Sequence, residues 1–138
     1  MKQSQRATQL LMAMLAMLTI AGCTNYGTKL EFKKGELYYT ENTTEADAKK
    51  LGDYLLAQGY FDDTETRTVQ LDKKDGTHHV RFVVKEEYQT SPKALELFTP
   101  IGAELSKAVF GGAKIVVDIC DETLETKQTL SASGDQPA

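Results

Sequence analysis

The sequence is poor in the side chains from which metal centres are built. Its 138 residues include two histidines, two cysteines and no tryptophan. The histidines, His78 and His79, are adjacent, and neighbouring residues of a strand point to opposite faces of a sheet. They cannot bind one metal ion together, and a structural zinc site usually needs four such ligands. We therefore expect neither a metal site nor a cofactor.

Long apolar runs are also missing, with one exception near the amino terminus. Leu10–Ile20 contains no charge and follows the cations Lys2 and Arg6. A helix over this run would rise only about 16 Å, roughly half the hydrocarbon thickness of a bilayer. The segment is too short to span a membrane and is typical of the apolar part of a signal peptide.

The residues at the end of this run, Ile20–Cys23, are an aliphatic residue, two small residues and a cysteine. They resemble the lipobox of bacterial lipoproteins. The resemblance implies cleavage between Gly22 and Cys23, diacylation of the Cys23 thiol and attachment to a membrane. By resemblance to the sorting rule of enteric bacteria, Thr24 in place of Asp favours the periplasmic side of the outer membrane, in a cell that has one. The alternative is an ordinary secretory signal with a chance cysteine.

With cleavage before Cys23, the sequence is predicted to consist of four regions. These are a signal peptide over 1–22, the lipidated cysteine and a short tether over 23–27, a folded domain over 28–130, and a polar, disordered tail over 131–138. Loss of Lys2 and Arg6 changes the net charge from −4 to −6, since residues 1–22 contain no acid. Cys120 then has no partner within the chain, so it is either buried or open to an intermolecular bridge.

The apolar residues of the domain recur with a period that switches between 2 and 3.6. The pattern predicts strands over 28–33, 36–40, 67–71, 78–85 and 114–120, an optional last strand over 124–130, and helices over 44–58 and 91–110. The order is ββαββαβ(β). Because each helix has one apolar stripe, we expect both helices on one face of a mainly antiparallel sheet, which is an α+β domain.

The sheet face away from the helices is the candidate binding surface, called here the candidate face. Successive side chains of a strand point to opposite faces of the sheet, and this alternation is called parity here. Parity along the strands assigns to the candidate face Lys29, Lys33, Tyr38, His79, Arg81, Val83, Lys85, Lys114 and Val116. Asp118 and Cys120 share this face by the same rule. A locally basic, partly aromatic surface on an acidic protein suits a protein or polymer partner. The alternative is an ordinary solvated sheet face.

Carboxylates cluster in two stretches, Asp62–Glu65 and Asp118–Glu125. A glycosidase needs two carboxyl groups that face each other across a cleft, and neither spacing predicts such a pair. The pattern of a calcium loop is missing as well, and no GxSxG or phosphate-loop motif occurs. The acidic balance and the expected compartment both disfavour a nucleic-acid partner.

Several stretches of the domain are similar to small uncharacterised domains found in bacterial proteins. They are Lys29–Phe32, Glu36–Tyr39, Ala48–Leu55, Arg81–Lys85, Glu104–Ser106 and Val109–Gly112. The resemblance implies no activity.

Three functions follow from these observations. The first is a non-catalytic envelope lipoprotein whose domain binds an envelope protein or polymer. The second is an inhibitor of a cationic envelope hydrolase such as a lysozyme, which the −6 charge and the membrane tether favour. The third is a small hydrolase that acts through its carboxylates, and it has the least support.

Overall fold

The sheet consists of three hairpins in series. The structure, a computed structural model, describes residues 25–134, so the predicted signal peptide, Gly22 and Cys23 lie outside this range. The strands are β1 (Thr28–Phe32), β2 (Gly35–Tyr39), β3 (Arg67–Lys74), β4 (Thr77–Val83), β5 (Ile115–Cys120) and β6 (Thr126–Ala132). The helices are α1 (Glu45–Ala57), α2 (Glu86–Gln89) and α3 (Pro92–Val109).

Neighbouring strands of the sheet are also neighbours along the chain, in the order β1-β2-β3-β4-β5-β6. Each hairpin is antiparallel, whereas the junctions β2–β3 and β4–β5 are parallel. The prediction of a mainly antiparallel sheet is therefore wrong, and the sheet is mixed. The reason is that each helical connection carries the chain back along the sheet, so the next strand starts at the same end as the strand before it.

The order of elements also differs from the predicted ββαββαβ(β), although the α+β class is confirmed. It is ββαββααββ, because the short helix α2 precedes α3 and β6 is a full strand. β6 runs to Ala132, past the predicted domain boundary at residue 130. Ala132 is only 1 % exposed, since it packs against α3 at Gly102.

Both long helices cover the same face of the sheet, and each begins at a side-chain cap. Thr44 Oγ1 accepts a hydrogen bond from Asp47 N at 3.1 Å, and Ser91 Oγ accepts one from Lys93 N at 3.1 Å. α1 packs on β1 and β2, α3 packs on β5 and β6, and the two helices touch. Between the layers, the fully buried side chains include Leu37, Leu51, Val69, Leu71, Val80, Phe82, Leu105, Ile115, Val117 and Ile119.

The connecting segments lie at two opposite ends of the sheet. The near end, where β1 starts and β6 finishes, carries the segments 25–27, 40–44, 75–76, 110–114 and 133–134. The far end carries the segments 33–34, 58–66, 84–91 and 121–125. Across residues 25–134, no helix is both long and apolar enough to cross a bilayer.

An aromatic stack between α1 and the first hairpin depends on two glycines. The rings of Phe32 and Phe61 stack with their centroids 5.9 Å apart. A Cβ atom at Gly35 would lie 2.2 Å from the Phe61 ring, and one at Gly52 would lie 2.1 Å from the Phe32 ring. Both distances are far below van der Waals contact. Each ring therefore occupies the space that a side chain at the glycine would need.

Replacement of Gly52 by alanine should destabilise the fold by about 1–3 kcal/mol, because the new methyl group overlaps Phe32. This loss should exceed the gain of about 1 kcal/mol that alanine normally brings to a helix. Urea unfolding of both forms measures the difference. The matched control is Asp53→Ala, the exposed next residue of α1, which should change the free energy of unfolding by less than about 0.5 kcal/mol. A G52A protein at least as stable as the wild type would contradict the packing argument.

Candidate functional site

The residues predicted for the candidate face fall into two groups. The first group occupies strand positions that alternate with core residues and comprises Lys29, Tyr38, His79, Arg81, Val83 and Val116. The second group lies outside the strands: Lys33 is in the β1–β2 turn, Lys85 follows β4 and Lys114 precedes β5. The structure therefore brings the first group together on one surface and leaves the three lysines of the second group at the ends of the sheet.

A row of polar side chains crosses the candidate face, with one residue from each strand. The strand registers place Lys29 beside Tyr38, then Gln70, Arg81, Asp118 and finally Thr129. Residues in register on adjacent strands lie about 5 Å apart, which lets their side chains touch. The row thus connects one edge of the sheet to the other.

Arg81 and Asp118 form the centre of this row. Arg81 donates to Gln70 Oε1 at 2.5 Å, to the Leu124 carbonyl at 2.7 Å and to Thr126 Oγ1 at 2.9 Å. Its Nε lies 3.4 Å from Asp118 Oδ2, and the two side chains are only 15 % and 6 % exposed. Two charges so far removed from water are tolerated because they are paired and hydrogen-bonded.

Asp118 also contacts His79. Asp118 Oδ2 lies 3.1 Å from His79 Nδ1, and Oδ1 accepts a hydrogen bond from Thr129 Oγ1 at 2.8 Å. His78 lies on the opposite face of the sheet, where its ring packs on Phe110 with centroids 4.6 Å apart. The sheet therefore separates the two histidines. In the described part of the chain, no three His, Cys, Asp or Glu side chains are grouped to hold a metal ion.

The centre of the candidate face is covered by two chain segments. Gln70 Nε2 donates to the Tyr26 carbonyl at 2.8 Å, and the Tyr26 ring packs edge-on against Tyr38 with centroids 5.6 Å apart. On the other side of the network, Leu124 is 7 % exposed and its carbonyl accepts from Arg81. The accessible part of the face is therefore its margin, a finding that differs from the expectation of an open sheet surface.

Most lysines of the candidate face are paired with carboxylates from neighbouring segments. The ion pairs are Lys29 with Glu31 and Glu36 at 3.5 and 3.8 Å, Lys33 with Asp63 at 3.7 Å, and Lys85 with Glu65 at 3.2 Å. The Glu36 charge raises the pKa of Lys29, and the hydrogen bond from Lys85 lowers the pKa of Glu65. The net charge of this surface is therefore closer to zero than the number of basic residues assigned to it indicates.

Cys120 lies next to the network and is fully buried. Burial raises the pKa of its thiol, whose Sγ lies 4.0 Å from Thr126 Oγ1. The thiolate is the reactive form of cysteine, and burial in apolar surroundings disfavours it. Of the two alternatives for this residue, the structure supports burial over an intermolecular bridge.

The two acidic stretches form turns of the same type at the far end. Asp62 Oδ1 accepts hydrogen bonds from Thr64 N and Oγ1, and Asp121 Oδ1 accepts them from Thr123 N and Oγ1. The bond from Thr64 lowers the pKa of Asp62, and the bond from Thr123 lowers the pKa of Asp121 to about 2. These carboxylates are held ionised by the loops that they close.

A polar cleft of about 480 Å³ lies at the near end, where the described chain begins. Its walls include Asn25, Tyr39, Glu41, Asn42, Thr43 and Asp72. Thr40 Oγ1 donates to Asp72 Oδ1 at 2.6 Å, so this carboxylate already has a partner. The cleft places Asn25 against the near end of the sheet.

Four residues of the network, Gln70, Thr129, Tyr26 and Leu124, are not among those predicted for the candidate face. Gln70 and Thr129 occupy strand positions with the parity of the candidate face, so the alternation of β3 and β6 could have found them. Tyr26 and Leu124 take part through their backbone carbonyls, which every residue has. Their side chains therefore do not reveal this role.

Replacement of Arg81 by methionine should destabilise the protein by about 3–5 kcal/mol, because it leaves Asp118 charged and buried without its partner. Adding Asp118→Asn should recover part of this loss, since the pair is coupled. The matched control is Lys85→Met, whose exposed pair with Glu65 should contribute less than about 1 kcal/mol. Urea unfolding of the variants measures all three. Equal losses for R81M and K85M would contradict the assignment.

Comparison with known proteins gives a family but no characterised relative. No curated protein matches the chain, and no solved structure does. A family model described as the AF_1994_N family N-terminal domain matches residues 29–132, which is most of the part that the structure describes. The match includes all six strands except the first residue of β1. The chain therefore belongs to the AF_1994_N family.

Proposed function

We propose that the chain is a bacterial envelope lipoprotein, anchored by lipid on Cys23, whose domain binds a partner without catalysing a reaction. The observation that carries the proposal is that residues 25–27, shortly after the proposed cleavage site, already contact one another and the sheet. Asn25 Oδ1 already accepts a hydrogen bond from Gly27 N, and Tyr26 already packs on the sheet. Cleavage before Cys23 would leave both contacts in the mature chain, as removal of a signal peptide from a folded domain requires.

The anchor is proposed to hold the protein at the periplasmic face of the outer membrane. Two or three acyl chains, with each buried methylene worth about 0.8 kcal/mol, would make the attachment durable. Thr24 stands where the sorting rule of enteric bacteria looks for Asp, and this supports the outer membrane over the inner one.

The partner is proposed to be an envelope protein or polymer that contacts the margin of the candidate face. Tyr38, Val83 and Val116 are half-buried, so each leaves part of its surface accessible beside the network. The ion pair of Arg81 with Asp118 joins β4 and β5, the strands that carry Val83 and Val116. A rigid surface loses less entropy on binding, which supports a role in recognition.

A second candidate is an inhibitor of a cationic hydrolase such as a lysozyme, and the charge of the far end favours it. The far-end segments carry three lysines and eight carboxylates: Lys33, Lys34, Lys85, Asp62, Asp63, Glu65, Glu86, Glu87, Asp121, Glu122 and Glu125. An acidic surface attracts a basic protein, and salt weakens that attraction.

Replacement of Cys23 by serine should abolish acylation, because serine has no thiol to accept the lipid. Metabolic labelling with an alkyne analogue of palmitate measures it. The matched control is Cys120→Ser, which keeps the lipobox residues and should label like the wild type. Label on the C23S chain, or no label on the wild type, would contradict the proposed anchor.

A photo-crosslinking amino acid at Val83 should capture the partner in cells, because Val83 lies at the margin of the candidate face. The control position is Lys50, which is exposed on α1. At Glu122, capture of a basic hydrolase that disappears at high salt would favour the second candidate. Mass spectrometry identifies the captured molecule. Capture at Lys50 equal to that at the other two positions would contradict both candidates.

A further inference from the structure

We infer that the domain stands on its near end at the membrane, with the tip of the β3–β4 hairpin among the lipid headgroups and the far end turned away. The inference rests on the proposed lipid anchor at Cys23 and adds to it an orientation and a contact surface. It follows from where the chain enters the fold, how long the tether is, and which charges each end carries.

The entry of the chain into the fold is fixed at the near end. The Tyr26 carbonyl is held by Gln70 at 2.8 Å. Gly27 has φ of 106°, and a Cβ atom there would lie 2.2 Å from the Tyr39 carbonyl oxygen, so the backbone passes directly over β2. Asn25 lines the near-end cleft. The first described residues after Cys23 are therefore attached to the sheet.

The tether between this attachment and the lipid is very short. An extended chain spans at most about 3.6 Å per residue, so Cys23 lies within about 7 Å of Asn25. The headgroup layer on each side of a bilayer is about 5–8 Å thick. Lipid chains on Cys23 would lie in the hydrocarbon, which places Asn25 within the headgroup layer or directly on it. The eight residues of β3 make the sheet about 25 Å long, so the far end cannot reach the same layer in this orientation.

The β3–β4 hairpin extends past the β1–β2 hairpin at the near end. β3 continues from Leu71, which lies opposite Tyr39, to Lys74, a further distance of about 10 Å. Lys73 and Lys74 lie beside its turn, and Lys114 is exposed on the next near-end loop. Lysines in this position are attracted to anionic lipid headgroups.

The charge of the far end favours the same orientation. Its segments carry eight carboxylates against three lysines, whereas those of the near end carry Glu41 and Asp75 against Lys114. An anionic leaflet repels the far end, and the repulsion acts over roughly 8–10 Å at ordinary ionic strength. The short tether and the charges of the two ends therefore favour the same orientation, with the near end at the membrane. The occupant of the near end is the bilayer surface, and a protein partner there is the competing outcome.

The test uses the acylated protein, purified from cells and placed in vesicles that contain phosphatidylglycerol. The photo-crosslinker p-benzoylphenylalanine replaces either Lys74 or Lys34. Both are exposed lysines beside a hairpin turn, Lys74 at the near end and Lys34 at the far end. We expect lipid adducts, read as a mass shift, to be at least about tenfold more abundant at Lys74, because only the near end reaches the headgroups. A flexible Gly-Ser insertion between Thr24 and Asn25 should reduce this ratio.

Each result of the test supports or overturns the orientation. Equal adducts at the two positions, more adducts at Lys34, no adduct at either position, or only protein adducts at Lys74 would overturn it while leaving the anchor intact. Mass spectrometry of Cys23 in the same sample separates the two failures. An unmodified Cys23 would overturn the proposed anchor, and the orientation with it.

Discussion

The pairing of Arg81 with Asp118 is the contact on which the surface of the sheet away from the helices depends. Both side chains are largely withdrawn from water, and their pairing offsets part of the cost of burying two charges. Arg81 also holds the loop at Leu124 and the side chain of Gln70, and Gln70 in turn holds Tyr26. One ion pair thus connects the β5–β6 loop on one side to the entry of the chain on the other. The face of the sheet under the helices packs on the apolar core, whereas the opposite face is held by this polar network.

The elements of the fold could be predicted from the sequence, but the way they join could not. Alternation located the first five strands and gave the sixth only as an optional strand over 124–130, and the caps at Thr44 and Ser91 located the starts of the long helices. Whether β2 lies beside β3 or beside a later strand is decided by contacts between distant residues, such as Leu37 with Val69. A local pattern carries no information about such contacts, so the parallel junctions could not be read from it. The short helix α2 has no buried residue and therefore no apolar stripe to indicate it.

Side-chain alternation along the strands placed six of the nine predicted residues on the candidate face, but it could not predict how their charges are balanced. Arg81, His79 and Asp118 do lie together on it. The carboxylates that pair with Lys33 and Lys85 come from the 58–66 segment, which is separated from both lysines in sequence. The coverage by Tyr26 and Leu124 arises from backbone groups at irregular positions, including Leu124 at φ of 62°. A count of basic residues therefore overstated how basic the surface is.

The strictly sequential order of the strands has a consequence for how the protein is made. A chain that emerges amino end first can form the β1–β2 hairpin, add the β3–β4 hairpin beside it, and then add the β5–β6 hairpin. No strand has to wait for a partner that is synthesised after another strand. Unpaired strand edges, which invite aggregation, are therefore limited at each stage to the growing side and the β1 edge. The sheet can be completed in the direction in which the chain appears.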